Sequence, residues 1–431
     1  MYEKTAFDVR ELGASALKAR RLTLLRELLA SGPLSALLAY AEALSRGEED
    51  AAAEAGARVL HELAAVDELW SAPELSFAAN PLEAWLIRAV ITTETPFARA
   101  AERGVEPGPL LSTLFKQDLA ALDALRRLAP AVLPPEFAGP WQSEPLSEPA
   151  PLAGELEAVV RRLAGPQPWG AHVLELQRFY RAAGAGPFNQ AAAFTWDPAA
   201  GFTPVRRLDP IRLEHFIGYE RERAQVVENT ERLVRGLPAH NVLLYGDRGT
   251  GKSATVKALA HAFKDRRLKI IEVGKAQLPA LPKLLSRLWA RGLYFILFVD
   301  DLSFEGAETE YKELKAFLEG SIQAPPAHVK VYATSNRRHI VKESFADREG
   351  PYGDVRARDN MEEKLSLADR FGLTVIFTAP EEKAYLEIVR GLAARRGLRI
   401  DPEVLERQAL QWAQWQNGRS ARAARQFVEG L

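Results

Sequence analysis

The sequence predicts an α/β protein in which a doubly wound parallel sheet follows an all-α N-terminal region. Three observations carry this. After Pro204, five short apolar runs alternate with amphipathic helical spacings: 241–246, 268–273, 294–301, 329–335 and 373–378. A glycine-rich loop joins the first of these runs to the helical run after it. Before residue 130, Leu and Ala recur at spacings of three and four with few β-branched interruptions.

Taken in order, helical spacing covers Ala16–Leu29, Leu34–Leu44, Ala51–Leu69 and Leu110–Leu128, punctuated at Gly32-Pro33, Ser71–Pro73 and Pro107–Pro109. Residues 1–133 therefore read as an all-helical domain. Residues 134–204 read as a Pro-rich linker and helical connector. Its start, PPEFAGPWQSEPLSEPAP, lacks amide donors at each Pro, which favours an extended strap. Helical spacing returns over Leu152–Ala183, and Gly184–Pro204 reads as a loop with Phe and Trp anchors. The five apolar runs are short, β-rich and apolar on both faces, as expected of strands covered by helices on each side. They place an α/β core at 205–379. Beyond it, 381–396, 402–416 and 419–430 read as helices, a region of 380–431 with no strand.

Composition sets limits. The chain has 431 residues, 47% hydrophobic and 26% charged, which excludes a largely disordered protein. Lys+Arg is 56 and Asp+Glu is 57, so the balance gives no support to nucleic-acid binding driven by net charge. There is no Cys, hence no disulfide, thiolate–zinc site or thiol nucleophile. No apolar run reaches the ~18 residues of a membrane span. The start is charged and reads as no secretory signal, so the expected compartment is the cytoplasm.

Gly246-Asp247-Arg248-Gly249-Thr250-Gly251-Lys252-Ser253 fits the phosphate-loop pattern, and its setting between strand and helix is the one the chemistry needs. Glycines let successive amides face phosphate oxygens, and the helix start adds partial positive charge. Lys252 supplies a cation for the terminal phosphates, and the Ser253 hydroxyl can ligate Mg2+. The run 295–299 ends in Asp300-Asp301, where a carboxylate faces the ligand crevice of an open α/β sheet. Asp300 is the candidate metal partner with Ser253. Asp301 is the candidate that polarises the attacking water, with Glu305 as runner-up. The next run ends at Asn336, an amide placed to reach between the γ-phosphate and that water. Arg370, just before the last run, can act on a nucleotide held by a neighbouring subunit. Arg419 and Arg422, three apart, can reach phosphates from a terminal helix.

In this order the motifs resemble the AAA+ ATPases. NVLLYGDRGTGKS, FVDDLSFE, YATSNRRH, EEKLSLADRFGL and GRSARAARQFV are similar to an uncharacterised bacterial family of predicted AAA+ ATPases with a helical N-terminal region. The resemblance covers about half the chain, from Leu208 onward. It implies a P-loop NTPase core with a five-stranded parallel sheet between helices and a C-terminal helical lid. It also implies an adenine side at His215-Phe216-Ile217-Gly218, with Ile217 and Gly218 against the base. By the same resemblance Asn336 is sensor I, Arg370 the arginine finger and Arg419 sensor II, with Arg422 beside the phosphates. LADRFGLTVIFTAPEE is also similar to a box of replication initiators and helicase loaders. Most relatives place Glu where this chain has Asp301, one methylene longer, so here the water must sit closer or the backbone must shift. The pore-loop position, Glu272–Leu281, holds no aromatic residue, which disfavours peptide threading.

The function expected is Mg2+-dependent ATP hydrolysis at sites completed by a neighbouring subunit of a homo-oligomer, a hexameric ring being one such form. Hydrolysis would move lid and helical domain against an unknown protein partner. A slow assembly switch and a DNA-associated loader are the alternatives. For the latter, Arg337-Arg338-His339 and Arg348–Arg358 would supply a local basic surface. ATP is favoured over GTP because the guanine-reading Asn-Lys-x-Asp pattern is absent.

Overall fold

The structure, a computed structural model, describes residues 6–30, 32–66, 73–132, 153–302, 314, 318, 325–336, 370–416 and 418–431. The expected strap at 134–151, Glu305 and the basic segments at 337–339 and 348–358 lie outside these residues. The chain divides into two compact units, 1–191 with 291–293, and 192–290 with 294–431. One boundary between the units falls at 191/192.

The first unit is helical: α1 (Ala6–Ala19), α2 (Gly32–Arg46), α3 (Glu49–Ala64), α4 (Pro81–Thr92), α5 (Pro96–Glu102), α6 (Pro109–Val132), α7 (Ala153–Leu163) and α8 (Val173–Ala183). One apolar cluster runs through it, from Leu12 and Leu37 through Leu86, Phe97 and Phe115 to Val160 and Tyr180. The last two belong to α7 and α8, so the connector helices share this core. Two starts are set by local chemistry. Asn80 accepts from the Glu83 amide (2.9 Å) ahead of Pro81, and Thr95 accepts from the Ala98 amide (3.0 Å) ahead of Pro96.

Helix α1 stops at Ala19, although the spacing predicts helix through Leu29. The reason is Asp118, buried on α6. Its carboxylate accepts from the amides of Thr23 (3.0 Å), Leu24 (2.8 Å) and Leu25 (2.9 Å). Those donors serve the start of a new 3-10 turn, Arg26–Leu29, and cannot also continue α1.

Among the described residues, the second unit holds a seven-stranded sheet in the order β2-β1-β4-β5-β6-β3-β7. The five expected strands are β3 (Val242–Gly246), β4 (Leu268–Glu272), β5 (Tyr294–Val299), β6 (Val329–Ser335) and β7 (Leu373–Phe377), all parallel. Every residue of β3 is buried, as is nearly all of β5. The stretch read as a loop supplies two further strands, β1 (Ala193–Asp197) and β2 (Gly201–Pro204). They form an antiparallel hairpin, and β1 extends the sheet parallel to β4. The Asp197 carboxylate closes its turn by accepting from the amides of Ala199 and Ala200, both at 2.8 Å.

Helices α9 (Glu220–Val234) and α10 (Lys252–Ala262) pack Val226, Leu233, Val256 and Leu259 onto strand residues such as Leu244, Ile296 and Tyr332. The short α11 (Leu281–Leu288) lies between β4 and β5 in the chain. Helices α12 (Glu382–Arg395), α13 (Pro402–Trp415) and α14 (Ala421–Glu429) form a separate small core around Tyr385, Val389, Ala409 and Phe427. Among the described residues, no helix is long and apolar enough to cross a membrane.

In the helical unit, Arg126 is buried and bonds to Glu83 (2.6 Å) and Asp123 (2.9 Å) with its guanidinium over Trp169. Removing the cation leaves the buried Glu83 carboxylate without this ion pair, while Asp123 keeps Arg127 (3.1 Å). Arg126→Met should therefore cost about 3–5 kcal/mol, read as a lowered urea midpoint.

Candidate functional site

The parallel order brings the carboxyl ends of β3, β6 and β5 side by side, with β6 in the middle. Tyr245 pairs with Ser335, and Val299 with Ala333, so the residues that follow each strand emerge at one edge of the sheet. This is the crevice where open α/β sheets place ligands.

The loop after β3 is shaped by its glycines. Gly246 has φ +131°, and a Cβ there would stand 2.1 Å from the Phe377 carbonyl oxygen. That close approach lets the Asp247 amide donate to Phe377 O (2.9 Å). Gly249 (φ +75°) and Gly251 (φ +96°) complete the turn that opens α10. The Thr250 hydroxyl bonds Asp247 O (2.9 Å), and the Asp247 carboxylate accepts from the Ala379 amide (2.7 Å) just before the C-terminal helices.

Lys252 is buried, and its ammonium donates to the carbonyls of Gly246 (3.0 Å) and Asp247 (2.6 Å). Burial pulls its pKa from 10.5 to about 8, and Arg422 adds to the fall; the carboxylates of Asp247, Asp301 and Asp300 work against it. Ser253 Oγ donates to Asp300 Oδ1 (2.6 Å). The same oxygen accepts from Thr334 Oγ1 (2.6 Å). Asn336 Nδ2 donates to Asp301 Oδ1 (2.7 Å). Side-chain hydrogen bonds thus tie the helix start to the ends of β5 and β6.

A cavity of about 570 Å³ opens over this group. Its polar lining is Lys252, Ser253, Asp301, Asn336 and Arg248 with Gly249 and Gly251, joined by Arg422 and Arg425 of α14. Its apolar lining is Ile211, Phe216, Ile217, Ile388 and Leu392, with His215 among them. Gly218 (φ +76°) stands next to this apolar wall, where an added Cβ would meet Ile388 at 3.3 Å. Gly246, Asp247, Thr250, Asp300 and Gly218 support the cavity without lining it.

The arginines separate. Ser420 caps α14 by accepting from the Ala423 amide (3.1 Å), so the helix begins at Ala421 rather than 419. Arg419 therefore lies outside the helix and pairs with Glu382 (3.2 Å), away from the cavity lining. Arg422 and Arg425 share the face that Arg419 and Arg422 were expected to share. Arg425 was not among the expected site residues; the position of the Ser420 cap is the signal that would have found it. Arg370 is exposed in the turn before β7 and does not line the cavity.

A family model described as a protein of unknown function, DUF815, matches residues 189–431, more than half of the chain. The chain belongs to the DUF815 family. No curated protein matches it. Solved structures similar to this DUF815 chain include the Thermotoga maritima RuvB Holliday junction branch migration motor, at 18% identity over 51% of this chain and 63% of that one, TM-score 0.35. A point mutant of T. maritima RuvB gives 17% identity over 52% and 65%, TM-score 0.35. The chain spans less than two thirds of the length of those structures. With the strand order and phosphate loop described above, the fold is an α/β P-loop fold.

Between pH 8 and 10.5 the unfolded chain holds a proton on Lys252 that the folded chain has released. Unfolding then takes up a proton, so stability rises with pH across that window. Wild type should gain stability relative to Lys252→Met from pH 8 to 10.5 in urea titrations; parallel pH profiles would show that the ammonium is not held down by burial.

Proposed function

We propose that this chain binds ATP with Mg2+ and hydrolyses it, at sites that a neighbouring subunit completes. The observation that carries the reading is the convergence of Lys252, Ser253, Asp301 and Asn336 on one cavity of mixed polar and apolar lining, with Asp300 bonded to Ser253 behind it.

The residues fit the two groups. Among the described residues, the Lys252 ammonium bonds to carbonyls of its own loop, so it can turn to an incoming phosphate without breaking a side-chain pair. The amides of Gly249, Gly251 and Lys252 belong to a glycine loop at a helix start, which favours anions. Ser253 and Asp300, already bonded, would hold Mg2+, and the ion would supply neutralising charge for the phosphates. Asp301 would orient the attacking water and accept its hydrogen bond, and Asn336 would hold the Asp301 carboxylate in place. The apolar lining, which includes Phe216, Ile217 and Ile388, would take the base. Arg422 and Arg425 would face phosphates from the lid, 380–431, and closure of the lid would exclude water from the site.

Arg370 would act across a subunit boundary, because its turn stands outside the cavity of its own chain. An arginine supplied in trans stabilises transition-state charge. The helical unit, residues 1–191, would hold the partner on which the cycle acts. A second reading, a slow-hydrolysing assembly switch, draws on one observation: the Asp301 carboxylate is short and engaged by Asn336.

Lys252→Ala should abolish ATP turnover, and Arg370→Ala should lower it by at least ~10³-fold while sparing nucleotide binding. Mixed together, the two variants should recover part of the activity, since each contributes the half the other lacks. An active Lys252→Ala chain would remove the ATPase reading. Wild-type protein that assembles on ATP without measurable hydrolysis would select the switch.

A further inference from the structure

Asp301 is one of three residues other than Gly with positive φ among the described residues, at +52°. L residues enter this left-handed region at a cost, and Asp and Asn enter it more readily than longer side chains do. The Thr334 hydroxyl links both acids at the bend. The Asp301 amide donates to Thr334 Oγ1 (2.8 Å), and Thr334 Oγ1 donates to Asp300 Oδ1 (2.6 Å). The Asp301 amide also reaches Asp300 Oδ1 (3.1 Å), and the Leu302 amide donates to Thr334 O (2.7 Å). Thr334 is buried in β6 at 1% exposure, so its hydroxyl has no freedom to choose other partners. It uses its donor on one acid and its acceptor on the amide of the next.

We infer that Thr334 is the positioning residue of the acidic pair, and that the bend it holds is the reason the second acid is aspartate. The inference rests on the ATPase reading above. The turn at 301 swings the short side chain round to Asn336, at 2.7 Å. The backbone thereby does what an extra methylene does on a residue with ordinary φ. A glutamate at this position would meet a less accessible backbone conformation and would carry its carboxylate past Asn336. A valine in place of Thr334 keeps the shape of β6, removes the donor to Asp300 and leaves the Asp301 amide with only its longer bond to Asp300 Oδ1 (3.1 Å).

The test uses the full chain and three variants, Thr334→Val, Thr334→Ser and Asp301→Glu. Each is measured by calorimetry with Mg2+ and a non-hydrolysable ATP analogue, and by single-turnover hydrolysis of ATP, which also registers a slow enzyme. Thr334→Val should keep the affinity for the analogue within about threefold but slow hydrolysis on the order of 10- to 100-fold, the size expected of a misplaced reacting group. Thr334→Ser, which keeps the hydroxyl, should stay within about tenfold of wild type. Asp301→Glu should be slower than wild type, although it restores the residue more usual at this place. Parallel loss of affinity and rate in Thr334→Val, a fall in rate below about tenfold, or a serine variant as slow as the valine one would overturn the positioning role. An Asp301→Glu variant as fast as wild type would overturn the account of the bend, and this arm decides alone if Thr334→Val fails to fold. Wild-type protein that takes up no analogue at all is a different failure: it removes the ATPase reading, and this inference with it.

Discussion

Asp300 Oδ1 accepts from Ser253, Thr334 and the Asp301 amide, which come from the start of α10, from β6 and from its own turn. Hydrogen bonds to an ionised carboxylate are short and strong, and those from the two hydroxyls measure 2.6 Å. The start of α10, the end of β6 and the turn at Asp301 are all tied to this one oxygen. The phosphate loop cannot drift from β5 without breaking the Ser253 bond, and Asn336 finds Asp301 only because β6 lies between β5 and β3.

Sheet topology makes this convergence available. Residues 246, 300 and 336 are far apart in the chain, yet the parallel register lays their strands so that all three leave the same edge. The apolar composition of β3 and β5 holds both strands inside the sheet. Buried on both faces, they are covered by helices on each side. Chemistry at the edge is therefore secured by packing well inside it.

Much of this was legible in the sequence. The loop 246–253 is contiguous, so its glycines and Lys252 declare themselves without tertiary information, and the five core strands stand out as short runs apolar on both faces. What escaped were features set by distant partners. The stop in α1 depends on Asp118, more than ninety residues downstream. The β1–β2 hairpin is too short for its alternation to be told from a loop with aromatic anchors. The role of Thr334 follows from strand register and not from its own neighbours in the chain. On the last helix the error was one of phase: capping by Ser420 starts the turn count two residues later than the arginine spacing suggested, which exchanges Arg419 for Arg425 on the cavity wall.

Strand β7 is laddered to β3 in five consecutive pairs, from Val242–Leu373 to Gly246–Phe377, a stiff rod of about 17 Å. Arg370 sits just ahead of one tip. The other tip leads to Ala379, whose amide is clamped by the Asp247 carboxylate. The rod cannot slide lengthwise without undoing the whole ladder at once. Any tug at the arginine tip is thus borne by the strand that carries the phosphate loop, and the terminal helices must pivot about the far tip rather than stretch away from it.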